Sequence, residues 1–120
     1  MGSTTYSRKL RLLTPSHFEN VFKKATAAPT PSITFLARTN PLEHPRLGIT
    51  VSKKNVRNAS DRNRIKRLIR ESFRLHQETL PNVDIVVVVK KGLAEQENPA
   101  IHTLLRKQWK KLTKRCNSSS

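Results

Sequence analysis

The sequence predicts an α+β domain, a two-layer α/β sandwich in the order α-β-β-α-β-α. Three patterns carry that expectation. Residues 62–76 repeat apolar side chains at helical spacing beneath a dense basic face, Ile33–Arg38 and Leu47–Val51 alternate with the two-residue period of strands, and Ile85–Val89 is an unbroken, mostly β-branched apolar run. A chain of 120 residues with 35% hydrophobic content and six aromatics suits one small domain with a modest core. The expected divisions are a basic flexible arm over residues 1–12, a single domain over residues 13–114 and a disordered tail over residues 115–120.

Each element follows from local signals. Thr14 is a good N-cap, Pro15 fits the first helical position, and Leu13 can staple onto Phe18. Phe18, Val21, Phe22 and Ala25 then recur at i, i+3, i+4 and i+7, which predicts a first helix over about residues 15–25, ended before Pro29 and Pro31. Ile33, Phe35 and Ala37 share one face of a strand, with Thr34, Leu36 and Arg38 on the other. The Pro-punctuated segment Asn40–Pro45 turns the chain, and Leu47, Ile49 and Val51 alternate with Gly48, Thr50 and Ser52. A hairpin between these two strands is the expectation. Gly48 and Thr50 leave one face of the second strand shallow, which suits the close approach of a helix or ligand.

A basic linker from Lys53 to Asn58 leads to the long helix, capped by Asn58 or Ser60 and running to about Glu78 before Pro81. The continuous run from Asp84 to Val89 reads as a central strand covered on both faces. Together these make a βαβ-like unit, normally right-handed. Asn98 and Pro99 open a last amphipathic helix on Ile101, Leu104, Leu105, Gln108, Trp109 and Leu112, whose other face includes Arg106, Lys107, Lys110 and Lys111.

Charge points to the partner. Lys and Arg number 24 against 8 Asp and Glu, a formal charge of +16 and a pI near 11.2. Such an excess favours nucleic acid first and anionic membrane second. On the long helix, at about 100° per residue from Ile65, the residues Leu68, Ile69, Ser72, Phe73, Leu75 and His76 fall in one arc roughly 160° wide. Asn63, Lys66, Arg67, Arg70 and Arg74 gather on the opposite arc, with no acid among them. Lys66/Arg70 and Arg70/Arg74 repel at the four-residue spacing by a few tenths of a kcal/mol each, about 0.2–0.5. A polyanion relieves that repulsion.

Catalytic patterns are thin. The four histidines, His17, His44, His76 and His102, show no metal-like pairing, and Asp61 and Asp84 have structural explanations at the starts of a helix and a strand. No Walker loop, dinucleotide glycine pattern or nucleophile elbow is present. No apolar run approaches the roughly 18 residues needed to span a bilayer, no secretory leader is evident, and the single Cys116 suits a reducing cytoplasm. Phe18 and Phe22, one turn apart and near Phe35, Lys54 and Lys90, would make a stacking groove for a single nucleic-acid strand. On the residues alone a core role for these phenylalanines stands equally open.

The run Arg62-Asn63-Arg64-Ile65-Lys66-Arg67-Leu68-Ile69-Arg70-Glu71-Ser72-Phe73-Arg74 resembles the RNR motif of the bacterial ribonuclease P protein component. Gly48–Lys54 resembles that family's strand with its Ser-Lys-Lys exit, Val86–Gly92 its third strand, and Leu10–Lys23 its first helix, so the resemblance covers about residues 8–114. One departure stands out: where a Gly commonly follows Ser-Lys-Lys, this chain has Asn55-Val56-Arg57-Asn58.

The resemblance implies a fold like the second domain of a small-subunit ribosomal protein, with a left-handed crossover around the long helix in place of the usual hand. It implies a protein subunit without a catalytic side chain, whose RNA partner performs the hydrolysis that removes the 5′ leader of precursor tRNA. Arg62, Asn63, Arg64, Lys66, Arg67 and Arg70 would then face the catalytic RNA. Phe18, Phe22, Phe35 or Leu36, Lys54 and Lys90 would line the leader cleft. Magnesium is expected through the RNA, with no metal held by the protein alone, no membrane and no protein partner required. The alternative is a ribosomal or other structural RNA-binding protein with no processing role, and an autonomous nuclease lacks the clustered acids or histidines it would need.

Overall fold

The computed structural model describes residues 15–118, so the basic arm, the Thr14 cap and the Leu13 staple lie outside the described residues. Helix α1 (Pro15–Lys23) leads into strands β1 (Thr26–Pro29), β2 (Ile33–Thr39) and β3 (Arg46–Thr50). Helix α2 (Ala59–His76), strand β4 (Val83–Val89) and helix α3 (Asn98–Ser118) follow, with single 3-10 turns at Gln77–Thr79 and Leu93–Glu95. α3 continues past the boundary expected at residue 114.

The strands form one sheet in the order β1-β2-β4-β3. β4 runs antiparallel to β2, with Ile33 opposite Val89 and Thr39 opposite Val83, and parallel to β3, with Arg46 opposite Asp84 and Thr50 opposite Val88. The expected hairpin between β2 and β3 is therefore replaced by two strands flanking a third. The apolar run of β4 is the reason, because a strand with apolar side chains on both faces gains most from a central position. The β2–β3 connection steps over the end of β4, where Asn40 N–H donates to the Asn82 carbonyl (3.1 Å) and Asn40 Nδ2 to Asp84 Oδ1 (2.8 Å). The parallel β3-α2-β4 unit is as the pattern predicts.

Strand β1 has no counterpart in the sequence reading. Its four residues, Thr-Ala-Ala-Pro, are too short and too small for a period to register, and they follow a first helix that ends at Lys23 rather than Ala25. It is an edge strand, the place where Pro29 costs no ladder bond. α3 shields it: Gln108 Nε2 donates to the Ala28 carbonyl at 2.7 Å, and Arg115 Nη1 donates to the Ala27 carbonyl.

The sheet's two faces are unequal. Phe35, Leu47, Ile85 and Val87 meet Ile65, Ile69 and Phe73 of α2 and Ile101, Leu105, Trp109 and Leu112 of α3 in the main core. The Trp109 ring lies 4.5 Å from Phe35 and 5.9 Å from Phe73, centroid to centroid, both tilted, and each such pair adds about 0.5–1.5 kcal/mol beyond its buried area. On the other face Val21 of α1 packs on Val86, with Phe18, Ala25, Leu36 and Val88 around them.

The buried set of α2 is Ile65, Leu68, Ile69, Ser72 and Phe73, the apolar arc expected. Leu75 departs from it at 69% exposed. The helix ends one residue later, and after the 3-10 turn Leu80 supplies the core side chain instead. Asn58 occupies the N-cap with extended φ and ψ of −82° and 132°, but its side chain caps no backbone N–H. Instead, Asn58 Nδ2 points to Asp61 Oδ2 at 3.4 Å, leaving Asp61 to complement the positive end of the helix.

Candidate nucleic-acid interface

The outward face of α2 separates the basic residues into two groups. Asn63, Arg67 and Arg70 are exposed and Lys66 and Arg74 half-buried, so every member of the basic arc reaches the surface. Arg62 and Arg64 turn inward. Arg62 Nη1 donates to the carbonyls of Val56 (2.8 Å) and Arg57 (2.9 Å), tying the preceding loop to the helix. Arg64 donates to Asn98 Oδ1 at 2.6 Å and to the Ala94 carbonyl at 2.9 Å, with Asp61 3.9 Å from its Nε. Both are thus structural ties as well as charges beside the arc.

The loop that departs from the family pattern closes without a glycine. The N–H groups of Asn55 and Val56 both donate to the Ser52 carbonyl, and Asn55 Nδ2 donates to the Val89 carbonyl at 3.1 Å. Among the described residues only Gly92 has positive φ, at 95°. Asn55 therefore fixes the exposed Lys54 at the end of β4, near where Lys90 leaves the same strand. Lys90 Nζ itself donates to the Thr30 carbonyl at 3.1 Å.

Of the residues expected to line a cleft, Phe18, Phe22 and Leu36 sit on the α1 side of the sheet and Phe35 does not. Phe22 is 50% exposed, Phe18 half-buried against the small core, and Leu36 half-buried beside Val86 and Val88. Phe35 is fully buried on the opposite face, against Trp109. Strand alternation requires this: Leu36 belongs to the α1 face, and Phe35 cannot line a cleft there. On the same face Thr34 Oγ1 is buried without a hydrogen-bond partner among the described residues. Arg38 Nη1 donates to the Asn20 carbonyl at 2.7 Å and fixes the far end of α1 over the sheet.

One cluster was not foreseen. Arg46 grips Asp84 with Nε to Oδ1 at 2.9 Å and Nη2 to Oδ2 at 2.7 Å, and Asn40 adds its bond to the same carboxylate. The bond to Asp84 raises the Arg46 pKa further above its ordinary value. Finding this pair requires the parallel register of β3 and β4, which neither strand reveals alone. It engages one of the few carboxylates, and His76 Nδ1 lies 2.8 Å from the Ser72 carbonyl. Among the described residues no three His, Cys, Asp or Glu come together as a metal site, and no helix is long and apolar enough to cross a membrane. The arrangement suits the binding of phosphates on α2 and of an extended strand beside α1.

Comparison with known proteins gives a concordant result. A family model described as Ribonuclease P matches residues 6–113. The ribonuclease P protein component of Pseudoalteromonas atlantica is 60% identical over 119 residues, covering 99% of each chain, and that of Yersinia enterocolitica 57% identical over 111 residues, covering 92% of this chain and 93% of the relative. Among solved structures, the RNase P protein of Staphylococcus aureus superposes with a TM-score of 0.81 at 31% identity, over 87% of this chain and 97% of that one. The RNase P protein of Thermotoga maritima gives 0.75 at 31% identity, over 84% and 96%.

Proposed function

The chain belongs to the ribonuclease P protein family, and from that premise we propose that it is the protein subunit that binds the catalytic RNA and the 5′ leader of precursor tRNA during 5′ maturation. The observation that carries the reading is the acid-free outward arc of Asn63, Lys66, Arg67, Arg70 and Arg74 on a helix whose other face is committed to the core. Phosphates of the catalytic RNA are the counter-charge this arc takes. Arg62 and Arg64 hold its N-terminal end in place.

The leader runs on the other face of the sheet, over Phe18, Phe22 and Leu36, with Lys54 and Lys90 at one end. Stacked bases there contribute about 1–3 kcal/mol each. Hydrolysis belongs to the RNA, and the magnesium it needs is held by RNA phosphates. The chain supplies screening charge and leader affinity, and the cytoplasm is where it meets new transcripts.

The test is reconstitution. Added to a cognate catalytic RNA at low magnesium, the chain restores cleavage of precursor tRNA at the 5′ end of the mature sequence. Absence of stimulation, with stable co-sedimentation on ribosomes, would instead favour a structural RNA-binding protein.

A further inference from the structure

The outward face of α3 is a second field of positive charge that neither the α2 arc nor the leader cleft uses. α3 carries six Lys and Arg between Arg106 and Arg115 and no Asp or Glu. The buried Ile101, Leu105, Gln108, Trp109 and Leu112 share one side of the helix, while Arg106, Lys107, Lys110 and Lys111 fall between about 140° and 280° from Ile101 at about 100° per residue. All four are exposed. Arg106/Lys110 and Lys107/Lys111 stand one turn apart and repel, as the α2 pairs do.

Placement sets the two fields on adjacent helices. Arg64 of α2 meets Asn98 near the start of α3, and Ser72 meets Trp109 further along both, so the helices run parallel and side by side. Packed helices lie about 8–10 Å apart. The two cationic ridges therefore sit on neighbouring helices of one layer, each on the flank turned away from the contact that Arg64, Ser72, Asn98 and Trp109 make between them. Aromatic stacking groups are missing from the α3 ridge, since Trp109 is only 1% exposed. A single strand would look for such groups, whereas double-stranded RNA is bound by its phosphates and 2′-hydroxyls with little regard to sequence.

We propose that the Arg106–Lys111 face of α3 binds the backbone of a double-stranded segment of the catalytic RNA, distinct from the segment on α2. The proposal rests on the subunit reading above. Two ridges on one layer fix the orientation of the protein on its RNA, which a single helix would leave free to pivot.

The test is directed hydroxyl-radical cleavage in the reconstituted holoenzyme, in a Cys116→Ser background, with iron-EDTA tethered at Lys110→Cys or Asn63→Cys. From position 110 the cuts are expected in paired nucleotides of the catalytic RNA, at places in its sequence separate from those cut from position 63. Cuts confined to precursor tRNA, cuts only where position 63 also reaches, or no cuts from 110 alone would each overturn the proposal. Silence from both positions together with no stimulation of cleavage would overturn the subunit reading itself. Independently, Lys107→Ala/Lys110→Ala/Lys111→Ala, checked for native circular dichroism, is expected to make the slope of log affinity against log salt shallower by about two to three. An unchanged slope would refute the α3 contact.

Discussion

The indole N–H of Trp109 donates a 2.7 Å hydrogen bond to Ser72 Oγ across the contact of α2 and α3, where both residues are buried. The bond couples α2 to the helix beside it at a point where a serine on an apolar arc would otherwise be a liability. Ser72→Ala removes the acceptor and leaves the indole unpaired, so the folded state is expected to lose about 1–3 kcal/mol. Denaturant unfolding measures it, and an unchanged midpoint would show that the bond carries no net stability.

Arg67 and Arg64 lie on one helix and are expected to fail differently. Arg67→Ala removes an exposed charge, weakening binding to the catalytic RNA and reducing the salt slope by about one, with little change in melting temperature. Arg64→Ala also removes the ties to Asn98 and Ala94, so its melting temperature falls as well. Filter binding across a salt series and thermal melts separate the two.

Phe22 and Phe18 divide in the same way on α1. Phe22 is half exposed, so Phe22→Ala should leave stability nearly intact and weaken precursor binding by about 1–3 kcal/mol when a leader base stacks there. Phe18→Ala also opens the small core and should lower stability. Affinities for precursors with long and absent leaders decide: equal losses for both substrates would move the leader away from α1.

Asp84→Asn breaks a partly buried bidentate pair and leaves the Arg46 guanidinium without its counter-charge. The expected cost is about 3 kcal/mol, read by denaturant unfolding. A loss near zero would mean that Arg46 finds water or Asn40 in its place.

Burial pushes the Cys116 thiol above its ordinary value. Its thiolate is therefore scarce near neutral pH, and iodoacetamide should react more slowly with the native chain than with the unfolded one. The folded state holds this proton more tightly, so the contribution to stability is present at neutral pH and fades as pH rises through the native pKa. Equal alkylation rates in both states at pH 8 would contradict this.

Periodicity made much of this molecule legible. The apolar arc of α2 and the amphipathic α3 follow from spacing, because each buries one side and spacing records which, while the central place of β4 follows from an apolar run with no period at all. Pairing order was less visible. Nothing in Ile33–Arg38 or Leu47–Val51 says that a strand more than thirty residues later inserts between them, and β1 is too short for a period. On α2, spacing separated the outward basic arc from the core side, as the burial shows, whereas the ties of Arg62 and Arg64, which the family resemblance set beside the arc, were not legible because their acceptors, the carbonyls of Val56 and Ala94, carry no sequence signature. Phe35 was assigned to the cleft on chemistry, though strand parity places it with Ile33 and Ala37 behind the sheet.

The central position of β4 also governs the order in which the chain can be completed. β2 and β3 each bond to β4 and not to one another, so a nascent chain ending before Val83 has two strands with no ladder between them and an α2 segment still without most of the core it packs on. Sheet closure waits for residues 83–89, and contacts of such long sequence separation form late and slowly. For a time during synthesis the residues of the basic arc are all present before the sheet that will carry them can close.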